Sequence, residues 1–153
     1  EDGFGSVDKD RHLSQKGRDQ SVQLAKDMAK QSLTCDYALV SSANRTRETF
    51  DQMNFVIPFE KRDDLYSGGP NEYVDAINML DNQYSDVMVV GHNPTCAMLA
   101  LQLTSEGAPA DLITLRAGYK KSQLTVVHFQ VENWTDIGPR NGFVSSIIVP
   151  KLD

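Results

Sequence analysis

The stretch DVMVVGHNPT, Asp86 to Thr95, places a continuous apolar run directly before a glycine, a histidine, an asparagine and a proline. A run of this kind is typical of a strand that is covered on both faces, as in a parallel sheet. Pro94 suits the first turn of a helix, which we predict to continue to about Leu103. His92 and Asn93 therefore lie where a strand passes into a helix, and ligands of open α/β sheets bind at this end of the strands.

A second strand, Tyr37 to Val40, runs into the sequence SSANRTRET, and Arg45 lies in the turn or the first helical turn behind it. A cation beside the N-terminus of a helix is unfavourable for the helix dipole, and a bound anion would remove this conflict. Each residue also has a simpler interpretation. His92 could be a packing residue, Asn93 the N-cap of its helix, and Arg45 a solvated side chain.

The remaining patterns alternate between helices and strands. Helices are predicted from the N-cap Ser14 to about Gln31, over Thr46 to Met53 and over Asn71 to Leu80. Strands are predicted at Phe55 to Ile57, which Pro58 would stop, and in the segments LITLRA, SQLTVVHFQV and FVSSIIVP. This order predicts one α/β domain over residues 1–153, with a parallel or mixed sheet between layers of helices.

The composition limits the possible ligands. A net charge of −6 argues against a general attraction to nucleic acid or to an anionic membrane, so local cations must hold any anionic ligand. The apolar stretches are far shorter than a membrane span. The two cysteines, Cys35 and Cys96, have neither the number of a disulfide framework nor the spacing of a metal site. We therefore expect a cytoplasmic protein that needs no metal and no cofactor.

Three pieces of sequence, in this order, resemble the branch-one histidine phosphatases, the phosphoglycerate-mutase-like superfamily. The pieces are DRHLSQKG at Asp10 to Gly17, SSANRTRET at Ser41 to Thr49, and VVGHNP at Val89 to Pro94. The length and the first piece are most similar to the small SixA-type phosphohistidine phosphatases. This resemblance implies a three-layer sandwich with a mostly parallel central sheet flanked by helices.

The resemblance also implies a mechanism. In this family a histidine in an Arg-His-Gly motif, at the end of the first strand, takes the phosphoryl group, and water then hydrolyses the phosphohistidine. Arg45 would clamp the phosphoryl group, and His92 would be the second histidine, which donates a hydrogen bond to it. Arg11 would lie at the rim of the pocket, and Asn93 would join these three in binding phosphate. A planar guanidinium suits the role because it can bind two oxygens at once.

The sequence departs from the family pattern at the nucleophile. No Arg-His-Gly occurs in the 153 residues, and the pair Arg11-His12 follows an acidic loop instead of an apolar strand. The domain therefore lacks the counterpart of the first strand in this sequence. We expect that strand, ending in Arg-His-Gly or Arg-His-Ala, in about ten residues before Glu1, a length that suffices for one strand and its turn. Four carboxylates lie where larger relatives carry a general acid, but none has a convincing context: Glu60, Asp63, Asp64 and Glu72.

The sequence favours a phosphatase that acts through a phosphohistidine intermediate on phosphohistidine in a signalling protein. Three alternatives remain open. The protein could be a small-molecule phosphomonoesterase or mutase of the same superfamily, a module that binds phosphorylated partners without turnover, or an α/β domain in which His92 is structural. The expected partner is a phosphorylated protein or a small phosphomonoester, with no role for nucleic acid or a membrane.

Overall fold

The structure, a computed structural model, describes residues 8–152. The helices are α1 (Gln15–Lys30), α2 (Asn44–Met53), α3 (Asp64–Ser67), α4 (Pro70–Asn78), α5 (Thr95–Leu103) and α6 (Pro109–Arg116). The strands are β1 (Tyr37–Ser41), β2 (Phe59–Arg62), β3 (Val87–Val90), β4 (Thr104–Gly107), β5 (Leu124–Phe129) and β6 (Gly142–Ile148). Short 3₁₀ turns occupy Asp8–Asp10 and Trp134–Asp136. Within this part of the chain, no helix combines the length and the apolar character that crossing a membrane requires.

The predicted helices form where their capping residues place them. The Ser14 side chain accepts a hydrogen bond from the backbone N–H of Gly17 at 3.1 Å, which starts α1. At the start of α4, Pro70 takes the first helical position and the Glu72 carboxylate accepts from the backbone N–H of Gly69 at 3.0 Å. Local sequence signals therefore fix these two helix starts.

The strands form two three-stranded sheets, with the orders β2-β1-β3 and β4-β6-β5. The first is entirely parallel, and in the second β6 runs parallel to β4 and antiparallel to β5. Along β1, Ala38 and Val40 pack with α1 and α2, whereas Leu39 packs with α4 and α5. This alternation places helices on both faces of the sheet. The predicted three-layer, mostly parallel α/β architecture is confirmed.

A cleft of about 1680 Å³ with a mixed polar and apolar lining runs between the two sheets. Among the strands of residues 8–152, β3 pairs only with β1 and β5 only with β6, so each has one unpaired edge. Both strands line the cleft along their whole length. Val89 of β3 and Val127 of β5 are consequently only half-buried, although the sequence of β3 is typical of a strand covered on both faces. An unpaired apolar edge is a template for a further strand.

The strand predicted at Phe55 to Ile57 is wrong. The chain enters the sheet only after Pro58, whose carbonyl accepts from the N–H of Ala38 at 3.2 Å, and the strand is β2. Three of its four residues are charged, which hid it in the sequence. An edge strand tolerates such residues because one side of it faces solvent.

The strand predicted at LITLRA is also wrong, because these residues belong to α6. Pro109 occupies the first turn of this helix, Asp111 its acidic start and Arg116 its basic end. These end signals outweigh the β-branched residues of its interior. The strands predicted in SQLTVVHFQV and FVSSIIVP are confirmed as β5 and β6, while the short polar strand β4 was not predicted.

Candidate functional site

The two segments singled out in the sequence meet at one edge of the first sheet. Strands β1 and β3 are parallel neighbours, with Val40 opposite Val90, so their carboxyl ends lie side by side. Arg45 follows β1 in the first turn of α2, and His92 follows β3 by two residues. The Arg45 Nη2 atom lies 3.3 Å from the His92 Nδ1 atom. A guanidinium and an imidazole therefore share the end of the sheet where ligands of α/β folds bind.

A carboxylate of the protein lies on this guanidinium. Asp8 accepts from Arg45 through its backbone oxygen at 2.9 Å and through Oδ2 at 3.2 Å. The Tyr66 hydroxyl donates to the same Oδ2 at 2.8 Å, and Arg11 Nη1 donates to Oδ1 at 3.2 Å. The Tyr66 hydrogen bond, together with those of the two arginines, lowers the pKa of Asp8. Donors from separate parts of the chain therefore converge on one anion.

The His92 ring is held by contacts on several sides. Its Nε2 atom lies 2.6 Å from the hydroxyl of Ser41, the last residue of β1. The Tyr66 ring packs edge-on against the imidazole, with 5.5 Å between the ring centroids. The backbone N–H of His92 donates to the hydroxyl of Tyr73 at 3.2 Å. Burial and the charge of Arg45 lower the pKa of His92. Both effects favour the neutral form of the ring.

The turn that presents His92 requires a glycine. The Tyr73 side chain is fully buried, and its hydroxyl donates to the carbonyl of Leu65. A Cβ atom on Gly91 would lie 2.4 Å from the Tyr73 hydroxyl oxygen. Only glycine allows the backbone to approach this closely. Tyr73 thus links α4 to the turn behind β3.

Arg11, Arg45, His92 and Asn93 all line the same cleft. Arg11 is exposed and reaches the cluster through Asp8, whereas Arg45 and His92 touch directly. Asn93 is exposed and precedes a cis peptide bond to Pro94. Because α5 begins at Thr95 with Pro94 in the N-cap position, the alternative that Asn93 caps this helix is wrong.

Comparisons with known proteins extend this description. No protein-family model matches the sequence. The uncharacterized protein Rv1276c of Mycobacterium tuberculosis is 27% identical over 149 residues, which cover 96% of this chain and 94% of that protein. The uncharacterized protein ML1117 of Mycobacterium leprae is 26% identical over 105 residues, which cover 69% of this chain and 65% of the relative.

Solved structures give the same fold with high overlap. A protein assigned as the phosphohistidine phosphatase SixA from Nakamurella multipartitia superposes with a TM-score of 0.82 at 23% identity, over 97% of this chain and 90% of that one. The protein histidine phosphatase SixA in complex with tungstate superposes with a TM-score of 0.75 at 20% identity, over 95% and 88%. The chain has the fold of the SixA phosphohistidine phosphatases. The resemblance drawn from the three sequence pieces is confirmed at this level.

Within this SixA fold, the Arg11-His12 pair makes contacts of its own. His12 Nδ1 lies 2.6 Å from Glu48 Oε1, and Arg18 Nη2 donates to the other oxygen of Glu48 at 2.9 Å. The His12 side chain is 75% exposed. Through Glu48, His12 therefore ties the segment before α1 to α2.

The four carboxylates considered as general acids have structural partners. Arg62 donates to Asp64 at 2.9 and 2.7 Å and to Glu60 at 3.2 Å. Asp63 accepts from Lys9 at 2.8 Å. Glu72 caps α4 through the N–H of Gly69. These contacts place each of the four in an ion pair or a helix cap, and none of them is a contact with His92.

Four residues around Arg45 and His92 were not predicted from the sequence: Asp8, Ser41, Tyr66 and Tyr73. Ser41 could have been found, because it ends the strand from which Arg45 was located. Asp8 and Tyr66 lie in charged segments without an apolar period, and only the fold brings them to Arg45. Tyr73 has the helical spacing of an ordinary core residue, which it also is.

Proposed function

We propose that this chain belongs to a phosphatase that acts on phosphohistidine in a protein and forms a phosphohistidine of its own. One observation carries the proposal: Arg45, Arg11 and Tyr66 converge on a single carboxylate, with the His92 ring 3.3 Å from the Arg45 guanidinium. In a protein of net charge −6, this cluster is a local site for an anion.

The chemistry of phosphoryl transfer fits this group of donors. The reaction requires positioning and neutralisation of the charge on the equatorial oxygens of the phosphoryl group. Both Nη atoms of Arg45 bind Asp8, which is the way a planar guanidinium would bind two phosphoryl oxygens. In this proposal a phosphoryl group displaces the Asp8 carboxylate, and Arg11, Tyr66 and His92 bind its remaining oxygens. Asn93, on the same cleft, contacts the bound group from its exposed side.

We propose that the nucleophile reaches the site on a further strand of the protein, bound in the cleft between β3 and β5. A strand parallel to β3 ends at the edge where Arg45 and His92 lie. With Arg-His-Gly or Arg-His-Ala at that end, its histidine nitrogen bonds to phosphorus while the bond to the nitrogen of the protonated substrate imidazole breaks. Water then attacks phosphorus, and inorganic phosphate and the free histidine are released.

The nature of the leaving group supports phosphohistidine as substrate. A protonated imidazole leaves readily, so the reaction needs little help from a general acid. This agrees with the four candidate carboxylates being engaged in ion pairs and a helix cap. The half-buried thiols of Cys35 and Cys96 are free, which supports a reducing compartment such as the cytoplasm as the site of action.

A second function is favoured by a different observation. Within residues 8–152 the anion site is assembled without a histidine that could act as nucleophile beside Arg45, apart from His92 itself. A protein with this site alone would bind phosphorylated partners and leave them unchanged. Measurement of turnover separates this binding module from the phosphatase.

The test compares substrates on the full-length natural protein. We expect release of phosphate from a phosphorylated histidine-containing transfer domain, with an acid-labile phosphoryl label on the enzyme during turnover and with activity unchanged in a chelator. Faster release from sugar or nucleotide phosphates would instead favour the small-molecule phosphatase. Binding of the phosphorylated domain without release would support the binding module and overturn the phosphatase.

A further inference from the structure

We infer that Ser41 is a positioning residue that decides which ring nitrogen of His92 carries the proton. When an oxyanion binds to the guanidinium of Arg45, Ser41 makes Nδ1 of His92 a hydrogen-bond donor. The inference deepens the proposed function, since it concerns how the same site receives its anion. It rests on two hydrogen bonds of one imidazole, on a third at the Ser41 hydroxyl, and on how buried polar groups are satisfied.

The two ring nitrogens of His92 face different partners. Nδ1 lies 3.3 Å from Arg45 Nη2, and Nε2 lies 2.6 Å from Ser41 Oγ. A guanidinium can only donate, so the contact with Arg45 requires an unprotonated Nδ1. In a neutral ring the proton is then on Nε2, and Nε2–H donates to Ser41.

The hydrogen bonds of Ser41 favour the opposite arrangement. Ser41 is fully buried, and its oxygen also accepts from the backbone N–H of Ala43 at 3.4 Å. If Nε2–H donates to Ser41, the oxygen accepts twice and its own O–H has no further acceptor among the described residues. If the O–H donates to Nε2 instead, every polar group of Ser41 has a partner. Because unsatisfied buried donors are unfavourable, Ser41 favours a proton on Nδ1.

Anion binding resolves this conflict in one direction. An oxyanion that binds to the guanidinium of Arg45 removes the contact between Arg45 Nη2 and His92 Nδ1, which keeps Nδ1 an acceptor. The preference of Ser41 then prevails, and Nδ1–H donates to an oxygen of the anion. In this arrangement the ring is neutral, because Nε2 accepts from Ser41 while Nδ1–H donates to the anion. The charged and titratable groups around the ring come from four elements: Arg45, Asp8, Tyr66 and Tyr73.

The state of the ring can be read directly by nitrogen NMR of the ¹⁵N-labelled full-length protein, with tungstate as the probe. Without tungstate we expect the His92 Nε2 to be protonated and Nδ1 to be unprotonated. Saturation with tungstate should give the chemical shift of a protonated Nδ1. An Nδ1 that remains unprotonated in the tungstate complex would overturn the inference, and this measurement needs no variant.

Variants of Ser41 test its role separately. In Ser41→Ala no hydroxyl favours the proton on Nδ1, so tungstate affinity should fall about tenfold near pH 8, with the loss of about one hydrogen bond, and much less at a pH low enough to protonate both ring nitrogens. Ser41→Thr retains the hydroxyl and should restore most of the affinity. The matched control is Ser21→Ala, which removes an equally buried hydroxyl that donates to the carbonyl of Gly17 at 2.8 Å, and which should leave affinity unchanged.

The outcomes distinguish this inference from the proposed function. Tungstate binding by Ser41→Ala with the affinity and pH dependence of the natural protein would overturn the inference alone. Failure of the natural protein to bind tungstate would overturn the anion site of the proposed function as well. A pH-dependent loss in Ser41→Ala that Ser41→Thr rescues would support both.

Discussion

At the scale of single residues, the site depends on a cation placed where a helix disfavours it. Arg45 lies in the first turn of α2, beside the positive end of the helix dipole, and its guanidinium binds Asp8. Replacing it by alanine should weaken vanadate binding and turnover by about 10²–10³, the usual effect of removing one preorganised donor. Calorimetric titration with vanadate measures the first effect, and circular dichroism should report an intact fold.

The matched control for Arg45→Ala is Arg47→Ala. Both substitutions remove one arginine from α2, but Arg47 pairs with Asp51 and stacks on the Phe59 ring at 4.5 Å. We expect Arg47→Ala to bind vanadate normally. Equal losses in the two variants would mean that only net charge matters, and Arg45 would have no specific role.

Asp8 occupies the position that the phosphoryl group takes in our proposal. Its carboxylate is a competitor for Arg45, and the lowered pKa keeps it charged at neutral pH. Asp8→Asn should therefore raise the affinity for tungstate about three- to tenfold, the effect of removing one charge at contact distance in water. Asp51→Asn, on α2, makes the same change in the net charge of the protein and should have no comparable effect on tungstate affinity. Weaker binding by Asp8→Asn would mean that Asp8 orders the site instead of blocking it.

His92 makes the stability of the protein depend on pH. Its pKa in the folded protein is lowered from 6.5 by burial and by Arg45, so the unfolded chain takes up a proton first as the pH falls. This contribution to the free energy of unfolding is complete above about pH 6.5 and is lost as the pH falls through the folded pKa. The Tm of His92→Gln should therefore fall less than that of the natural protein between about pH 7 and pH 5. A variant that is unfolded at every pH would favour the structural role of His92.

At the scale of elements, α4 supports the turn that carries His92. Tyr73→Phe leaves the backbone N–H of His92 and the carbonyl of Leu65 without their buried partner. We expect a loss of about 1–3 kcal/mol in the free energy of unfolding, measured by urea denaturation. Tyr37→Phe is the comparison, because the Tyr37 hydroxyl donates to Glu60 in a less buried place. The free energy of unfolding should therefore fall less in Tyr37→Phe. A smaller loss in Tyr73→Phe than in Tyr37→Phe would contradict this supporting role.

The elements also show what the sequence can predict. The apolar strands β1 and β3, and the helix starts at Ser14 and Pro70, carry strong local signals, so Arg45 and His92 could be placed at one sheet edge. The charged edge strand β2 and the helix α6 could not be identified from apolar periodicity, because pairing and helix-end signals decide them. Tyr66 reaches the site only through the tertiary fold, and no local pattern predicts this position.

At the scale of the whole molecule, the cleft between the sheets connects the two sheets with Arg45 and His92. The unpaired edges of β3 and β5 both line it, and it continues to two residues of the proposed anion site, Arg45 and His92. Neither edge has a strand partner within residues 8–152. The apolar core and the site therefore share one opening, and a strand that filled the cleft would complete both at once.

The prediction for the whole molecule concerns a protein that carries the further strand proposed to bind in the cleft between β3 and β5. A strand in the cleft would bury its own apolar side chains together with those of β3 and β5, and its backbone would pair with the two unpaired edges. The free energy of unfolding should therefore rise by several kcal/mol, and backbone amides of β3 and β5 should exchange more slowly by mass spectrometry. Amides of β1, already paired on both sides, serve as the internal reference. A strand of equal length with a scrambled sequence should give neither effect. The cleft would not be the binding site of the natural strand if the scrambled strand stabilised the protein equally. The same conclusion would follow if the amides of β3 and β5 gained no protection from the natural strand.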